Sequence, residues 1–391
     1  MTPTGVDERF SAAGFVAPDY GGRCLDSVLP AAAASLGVAL GPSAPDGPTA
    51  RARLGLPEAS RIAVVLVDGL GSQMLTERAG HAPFLRSVAS GTRELTVGYP
   101  STTAASMGLF GTGAAAGQTG LAGYTVRNPE GGGLANLVSW AGAGVPEDWQ
   151  QVRTVPEQLV AAAITVTSVG PAAFAGSGLT RAALRGGHYV AAERLADRVD
   201  AALFELSAPG LVYLYWGEVD KAGHQYGWQS RQWADALAEA DRELRRFARS
   251  VPRGTVVVVT ADHGMVDVDR RQLVDVATTP ALSRDVVLVA GEPRATFVHV
   301  APGSADAVLE RWRTELGDRA VVATRAEAVA AGWFGPVSDR VAPVIGDLVV
   351  AATGRAGVVD SRTQTPHSLE LKGMHGSFTP GEMLVPLVVL A

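Results

Sequence analysis

Apolar and polar positions alternate between two regimes along the chain. Ile62–Val67, Leu211–Trp216, Thr255–Thr260 and Leu384–Leu390 are short apolar runs with little polar interruption. Runs of that length read as strands buried on both faces, the habit of parallel sheets. Ile164–Val169 reads as a further strand. Between the runs the period changes. Trp233, Leu237, Ala240, Leu244 and Phe247 recur at helical spacing. Thr154-Val155-Pro156-Glu157 has capping-box spacing with Pro near the first helical position, and opens a helix through Ala163. Helices are also expected from about Ser72 and after Thr103. This alternation predicts an α/β fold, with a mostly parallel central sheet and helices on both faces. Residues 276–370 read differently, with short strands over 286–290, 295–300 and 348–352 and a helix near 305–316, as in a small α+β cap. The expected organisation is an N-terminal arm with a helix over 25–36 and a linker over 41–49 (residues 1–60), a catalytic core (61–275), the cap (276–370) and a return to the core (371–391).

Chemistry gathers where the apolar runs end. The first gives way to Asp68-Gly69-Leu70-Gly71, the second to Gly217-Glu218-Val219-Asp220 with His224 four residues on, and the third to Asp262-His263-Gly264. Open α/β sheets bind ligands at the carboxyl ends of their strands. A loop near the end of the chain adds His375, and Tyr99-Pro100-Ser101-Thr102-Thr103 precedes an Ala-rich helix that would start at Thr103. Three Asp and three His, with one hydroxyl, suit two divalent cations, and carboxylate beside imidazole is typical of hard-metal or zinc sites. A hydroxyl at a helix N-terminus is a candidate nucleophile whose alkoxide the helix favours. Each piece also has a plainer reading. Asp68 and Thr103 could be helix caps, Asp220 and His224 a helical surface pair that Gly223 makes less regular, and His375 an exposed loop residue. Only the joint order resists those readings.

Composition narrows the class. The chain has 391 residues, 47% hydrophobic and 18% charged, with a net charge of −6 and no basic patch. That excludes a nucleic-acid-binding scaffold. Cys24 is the single cysteine, so neither an intramolecular disulfide nor a multi-thiolate metal site can form. No run of about 18 apolar residues suggests a membrane span, and no secretory signal is visible, so the expected compartment is the cytoplasm.

In the order of these motifs the chain resembles the alkaline phosphatase superfamily, and within it the nucleotide pyrophosphatase/phosphodiesterase branch. The carrying motifs are Val67-Asp68-Gly69-Leu70, Tyr99-Pro100-Ser101-Thr102-Thr103, Glu218–His224, Thr260–Met265 and Met374-His375-Gly376. The resemblance implies two zinc ions, one held by Asp220, His224 and His375, the other by Asp68, Asp262, His263 and Thr103. It also implies attack of Thr103 on the phosphorus of a small phosphodiester or nucleotide-like substrate, and hydrolysis of the resulting phospho-threonine. Thr103 is preferred to Thr102 and Ser101 because family members place the nucleophile last in this run. Where nucleotide-hydrolysing members carry a phosphoryl-binding Asn, this chain has Gly123-Tyr124, so Tyr124 is the candidate replacement, and Tyr99 the candidate for lining the pocket. The absence of an arginine beside the motifs favours diesters over monoesters. A phosphomonoesterase or a hydrolase of phosphonoacetate-type C–P bonds on the same scaffold, and beyond these a binding protein without turnover, are the alternatives.

Overall fold

The computed structural model describes residues 5–88 and 93–390. Seven strands form the central sheet: β1 (Arg61–Val67), β2 (Arg93–Thr96), β3 (Val166–Gly170), β4 (His188–Ala191), β5 (Gly210–Trp216), β6 (Thr255–Thr260) and, late in the chain, β7 (Leu384–Leu390). Their order is β2-β7-β6-β1-β5-β3-β4. β6, β1, β5, β3 and β4 are parallel, and β7 runs antiparallel between β6 and β2. The β-branched runs form the middle of the sheet because both faces are covered by helices. Every residue of β6 is buried, as is every residue of β1 after Arg61. Burying one such Val contributes about 1.5–3 kcal/mol before chain entropy is counted.

Register then decides where the chemistry goes. Val67 lies opposite Trp216, and Leu66 opposite Thr260. Asp68, Gly217 and Ala261 therefore leave the sheet at the same edge. The amide of Asp68 extends the ladder by donating to the carbonyl of Trp216 at 2.9 Å.

Residues Val286–Glu292, Ala295–Val300, Leu348–Ala352 and Ala320–Thr324 form, in that order, a separate four-stranded antiparallel sheet. The helix Ala305–Leu316 covers it through Trp312, Val308 and Leu316. A buried ion pair connects this sheet to the segment before β7. The Arg294 guanidinium donates to both oxygens of Glu382, at 3.0 and 2.8 Å, and both residues are fully buried. Glu382 also accepts the Ser377 amide at 3.1 Å.

Two local expectations need correction. Asp220 and His224 lie on a regular helix, Glu218–Tyr226. Gly223 does not break it; a Cβ there would lie 2.5 Å from Met265 Sδ, so any larger residue would displace the end of that side chain. Part of the expected linker over 41–49 is the start of the helix Gly47–Leu54, capped by Asp46, whose side chain accepts the Thr49 amide at 3.0 Å. Among the described residues no helix is long and apolar enough to cross a membrane.

Candidate metal and catalytic site

Asp68 follows β1, Asp262 and His263 follow β6, and Asp220 and His224 ride the helix that follows β5. The turn after β1 brings two of these ends together. Gly69 has φ +72°, and a Cβ there would sit 2.8 Å from Asp220 Cβ, so only glycine allows the approach. His375 arrives from the loop after Gly373–Met374, and its ring stacks on that of His263 with centroids 3.5 Å apart.

The hydrogen bonds fix what each imidazole presents. Nδ1 of His224 faces the Gly373 carbonyl at 2.8 Å, Nδ1 of His263 the Gly264 carbonyl at 3.0 Å, and Nδ1 of His375 the Ser101 carbonyl at 2.9 Å. A carbonyl only accepts, so each Nδ1 carries the proton and each Nε2 offers a lone pair. Those lone pairs converge. Nε2 of His224 and of His375 are 3.2 Å apart, and Nε2 of His263 is 3.4 Å from both Asp68 Oδ1 and Asp262 Oδ2. His224 Nε2 lies 3.3 Å from Asp220 Oδ2. Asp68 Oδ1, Asp220 Oδ1 and Asp262 Oδ2 are buried with no hydrogen-bond partner.

Such a set repels itself unless a cation stands among its members. Burial, together with the charges of Asp262 and Asp220, raises the pKa of Asp68 well above the carboxylate range. Burial raises that of Asp262 as well. Burial and the neighbouring His263 and His224 hold His375 well below the usual imidazole value. Two compact groups can each hold a metal ion: Asp220, His224 and His375, and Asp68, Asp220 and His263, the donor atoms of each lying within 4.8 Å of one another. Asp220 stands between the two groups, and Asp262 adjoins the second through the 3.4 Å approach to His263. Nitrogen and carboxylate donors in this mixture fit divalent cations of the zinc type.

Metal removal has a signed pH consequence. Without cations, folded Asp68 and Asp262 hold protons more tightly than the unfolded chain does. Their contribution to stability is full below about pH 4, the unfolded carboxylate value, and is lost as pH rises through the raised folded values. The thermal midpoint of the chelator-treated protein is therefore expected to fall relative to the metal-loaded protein as pH is raised above about 4. A gap between the two midpoints that stays constant or narrows over that window contradicts the ligand set.

Thr103 is the first residue of the helix Thr103–Thr112, and its Oγ1 lies 3.2 Å from His263 Nε2. It faces a cavity of about 610 Å³ whose floor includes Asp68, Asp220, His224 and His375. Tyr124 also lines this cavity, half-exposed, while its amide donates to Glu292 Oε2 at 2.8 Å. Tyr99 does not line it, which corrects the sequence expectation. Its ring is fully buried, stacked on Phe378 with centroids 3.8 Å apart and packed against Trp333 and Phe334. Proximity to Thr103 in sequence did not give the direction of the side chain. Sequence reasoning missed Tyr215, whose hydroxyl donates to Asp68 Oδ2 and leaves Oδ1 free, and Glu292 on the cavity wall. Tyr215 alternates with Tyr213 in an apolar strand, so its only signal is a polar tip facing the ligand edge.

Known proteins share part of this sequence and the fold that carries the site. A stretch of 66 residues is 36% identical to human ectonucleotide pyrophosphatase/phosphodiesterase family member 7 and 35% identical to the mouse protein. That match spans 16% of this chain and 14% of the human relative. Murine ectonucleotide pyrophosphatase/phosphodiesterase 5 superposes with a TM-score of 0.68 over 84% of this chain and 87% of that one, at 15% identity. A phosphonoacetate hydrolase from Sinorhizobium meliloti, solved with phosphonoacetate, superposes with a TM-score of 0.64 over 85% and 90%, at 18% identity. The profile of type I phosphodiesterases/nucleotide pyrophosphatases matches residues 62–378, a span that includes Asp68, Thr103, Asp220, His224, Asp262, His263 and His375. The chain belongs to the type I phosphodiesterase/nucleotide pyrophosphatase family.

Proposed function

We propose that the protein hydrolyses phosphodiester or pyrophosphate bonds, with Thr103 as nucleophile beside two divalent cations, zinc by donor type. The observation that carries this reading is the convergence of three Nε2 lone pairs and three unpartnered carboxylate oxygens beside the hydroxyl of Thr103. Asp220, His224 and His375 would hold one cation, and Asp68, Asp262 and His263 the other, with Asp220 placed between them. Bound there, the cations would lower the pKa of the Thr103 hydroxyl and offset charge on the phosphoryl oxygens.

The remaining steps belong to the chain. Thr103 Oγ1 gives its proton to solvent and forms the bond to phosphorus, while the ester oxygen opposite departs with the phosphorus–oxygen electron pair and takes up a proton from solvent. Water then attacks the phospho-threonine and releases Oγ1. The N-terminus of the helix Thr103–Thr112 favours negative charge on that oxygen. The carbonyls of Gly373, Gly264 and Ser101 hold the three imidazoles in one tautomer throughout. Tyr215 orients Asp68 by occupying Oδ2.

Two relatives of the same fold frame the alternatives. An inactive Thr-to-Ala variant of murine ectonucleotide pyrophosphatase/phosphodiesterase 5 was solved with AMP, and the bacterial neighbour with phosphonoacetate. The test is a substrate panel on zinc-loaded protein: bis(p-nitrophenyl) phosphate, p-nitrophenyl phosphate and phosphonoacetate. Diester turnover at least about tenfold above the other two is expected, because no Lys or Arg among the described residues lines the cavity to meet a second negative charge. Faster monoester or phosphonate turnover overturns the diester assignment.

A further inference from the structure

The cavity beside Thr103 has a chemical bias of its own. Met107 lies one helical turn beyond Thr103 and so shares its face. The hydroxyl of Tyr213 rests 3.9 Å from Met107 Sδ. The short helix Gly178–Ala183 packs on the helix that carries Thr103 and brings Leu179 to the cavity wall, with Leu184 just beyond its end. Phe174, with 41% of its surface exposed, stands edge-on to Tyr215 at 5.6 Å, directly above the residue that orients Asp68. One limb of the cavity is therefore an apolar trough that starts at the nucleophile. The rest of the lining mixes Tyr124, Asn136, Glu292 and Asp360 with apolar residues such as Leu134 and Val289. Neither carboxyl group there is placed to receive an anion: Glu292 Oε1 is buried without a partner, burial raising the pKa of the group well above the usual carboxylate range, and Asp360 is already paired with Arg362 at 2.6 Å. Among the described residues no cationic side chain lines either part.

We infer that the substrate is a phosphodiester with an uncharged apolar group, alkyl or aryl, on one ester oxygen, and that this group lies in the trough formed by Met107, Phe174, Leu179, Leu184 and Tyr213. The inference rests on the phosphodiesterase reading and narrows it. A nucleoside polyphosphate would carry further anionic phosphates into a cavity that offers them carboxylates and apolar walls, and charge buried without a partner is costly. An apolar ester group gains from leaving water, and the volume of about 610 Å³ accommodates it together with the phosphate.

The test is a homologous series, methyl to hexyl p-nitrophenyl phosphate, on the zinc-loaded full chain. All members share a leaving group and a single negative charge, so the slope of kcat/KM with chain length reports the trough alone. A rise of about two- to fourfold per methylene is expected over the first members. ATP is expected to be at least about tenfold poorer than the hexyl ester. The Leu179→Asn variant is expected to lower the hexyl-to-methyl ratio. A flat or falling series with clear turnover, or ATP at or above the hexyl ester, overturns the inference while leaving the phosphodiesterase reading intact. No turnover of any member or of bis(p-nitrophenyl) phosphate overturns that reading, and the inference with it.

Discussion

Thr103→Ala is expected to lower diester turnover by about 10⁴-fold or more while the zinc bound per chain stays at the wild-type level. The two halves of this expectation have separate causes. Among the described residues, Thr103 Oγ1 is the one hydroxyl on the cavity face that also approaches the Nε2 of a candidate ligand, at 3.2 Å. Removing it removes the proposed bond-forming atom, and a covalent mechanism without its nucleophile retains only the binding and electrostatic contributions. Three carboxylates and three imidazoles remain, and the tautomers of the imidazoles are set by backbone carbonyls that the substitution does not touch. Steady-state kinetics beside elemental analysis of the same preparation is the measurement. Turnover within tenfold of wild type would remove Thr103 from the chemistry. Loss of zinc in step with activity would make it a structural ligand instead.

Asp262→Ala should cost metal and activity together. This carboxylate is fully buried, its Oδ1 accepts the Gly69 amide at 3.2 Å, and its Oδ2 has no partner. Alanine removes a donor from the site and leaves the Gly69 amide unsatisfied, at about 1–3 kcal/mol. The turn that Gly69 makes against Asp220 then loses its anchor, so both candidate positions are affected. Zinc per chain is expected to fall by at least half, with diester turnover reduced by about 10³-fold or more. Asp262→Asn keeps the shape and the oxygen that Gly69 needs. It separates the two effects, because its fold should persist while its metal affinity falls. A fully metallated, active Asp262→Ala protein would refute the ligand assignment.

Much of this arrangement is legible in the sequence because its signals are local. β1, β5 and β6 announce themselves as unbroken apolar runs, and the residue that ends such a run emerges at the ligand edge. The capping box at Thr154 and Glu157 is present with both reciprocal bonds. Other parts depend on contacts made at a distance. Tyr99 turns away from the cavity because Phe378, Trp333 and Phe334, all more than 200 residues later, enclose its ring. Gly223 reads as a helix breaker and is in fact a clearance for Met265. β2 and β4 carry Arg93, Glu94 and His188 on short edge positions, so no apolar period marks them. Asp46 before Gly47-Pro48 was a readable cap signal, hidden by the surrounding Pro and Gly.

The buried pair of Arg294 and Glu382 has a mechanical consequence for the chemistry. It rivets the four-stranded sheet to the same short segment that carries His375, so that sheet is not a lid free to swing over the cavity. Any force that displaces it is passed through Glu382 and Ser377 to an imidazole two residues away. Damage far from phosphorus would then surface first as slackened grip on a cation, before the fold itself gives way.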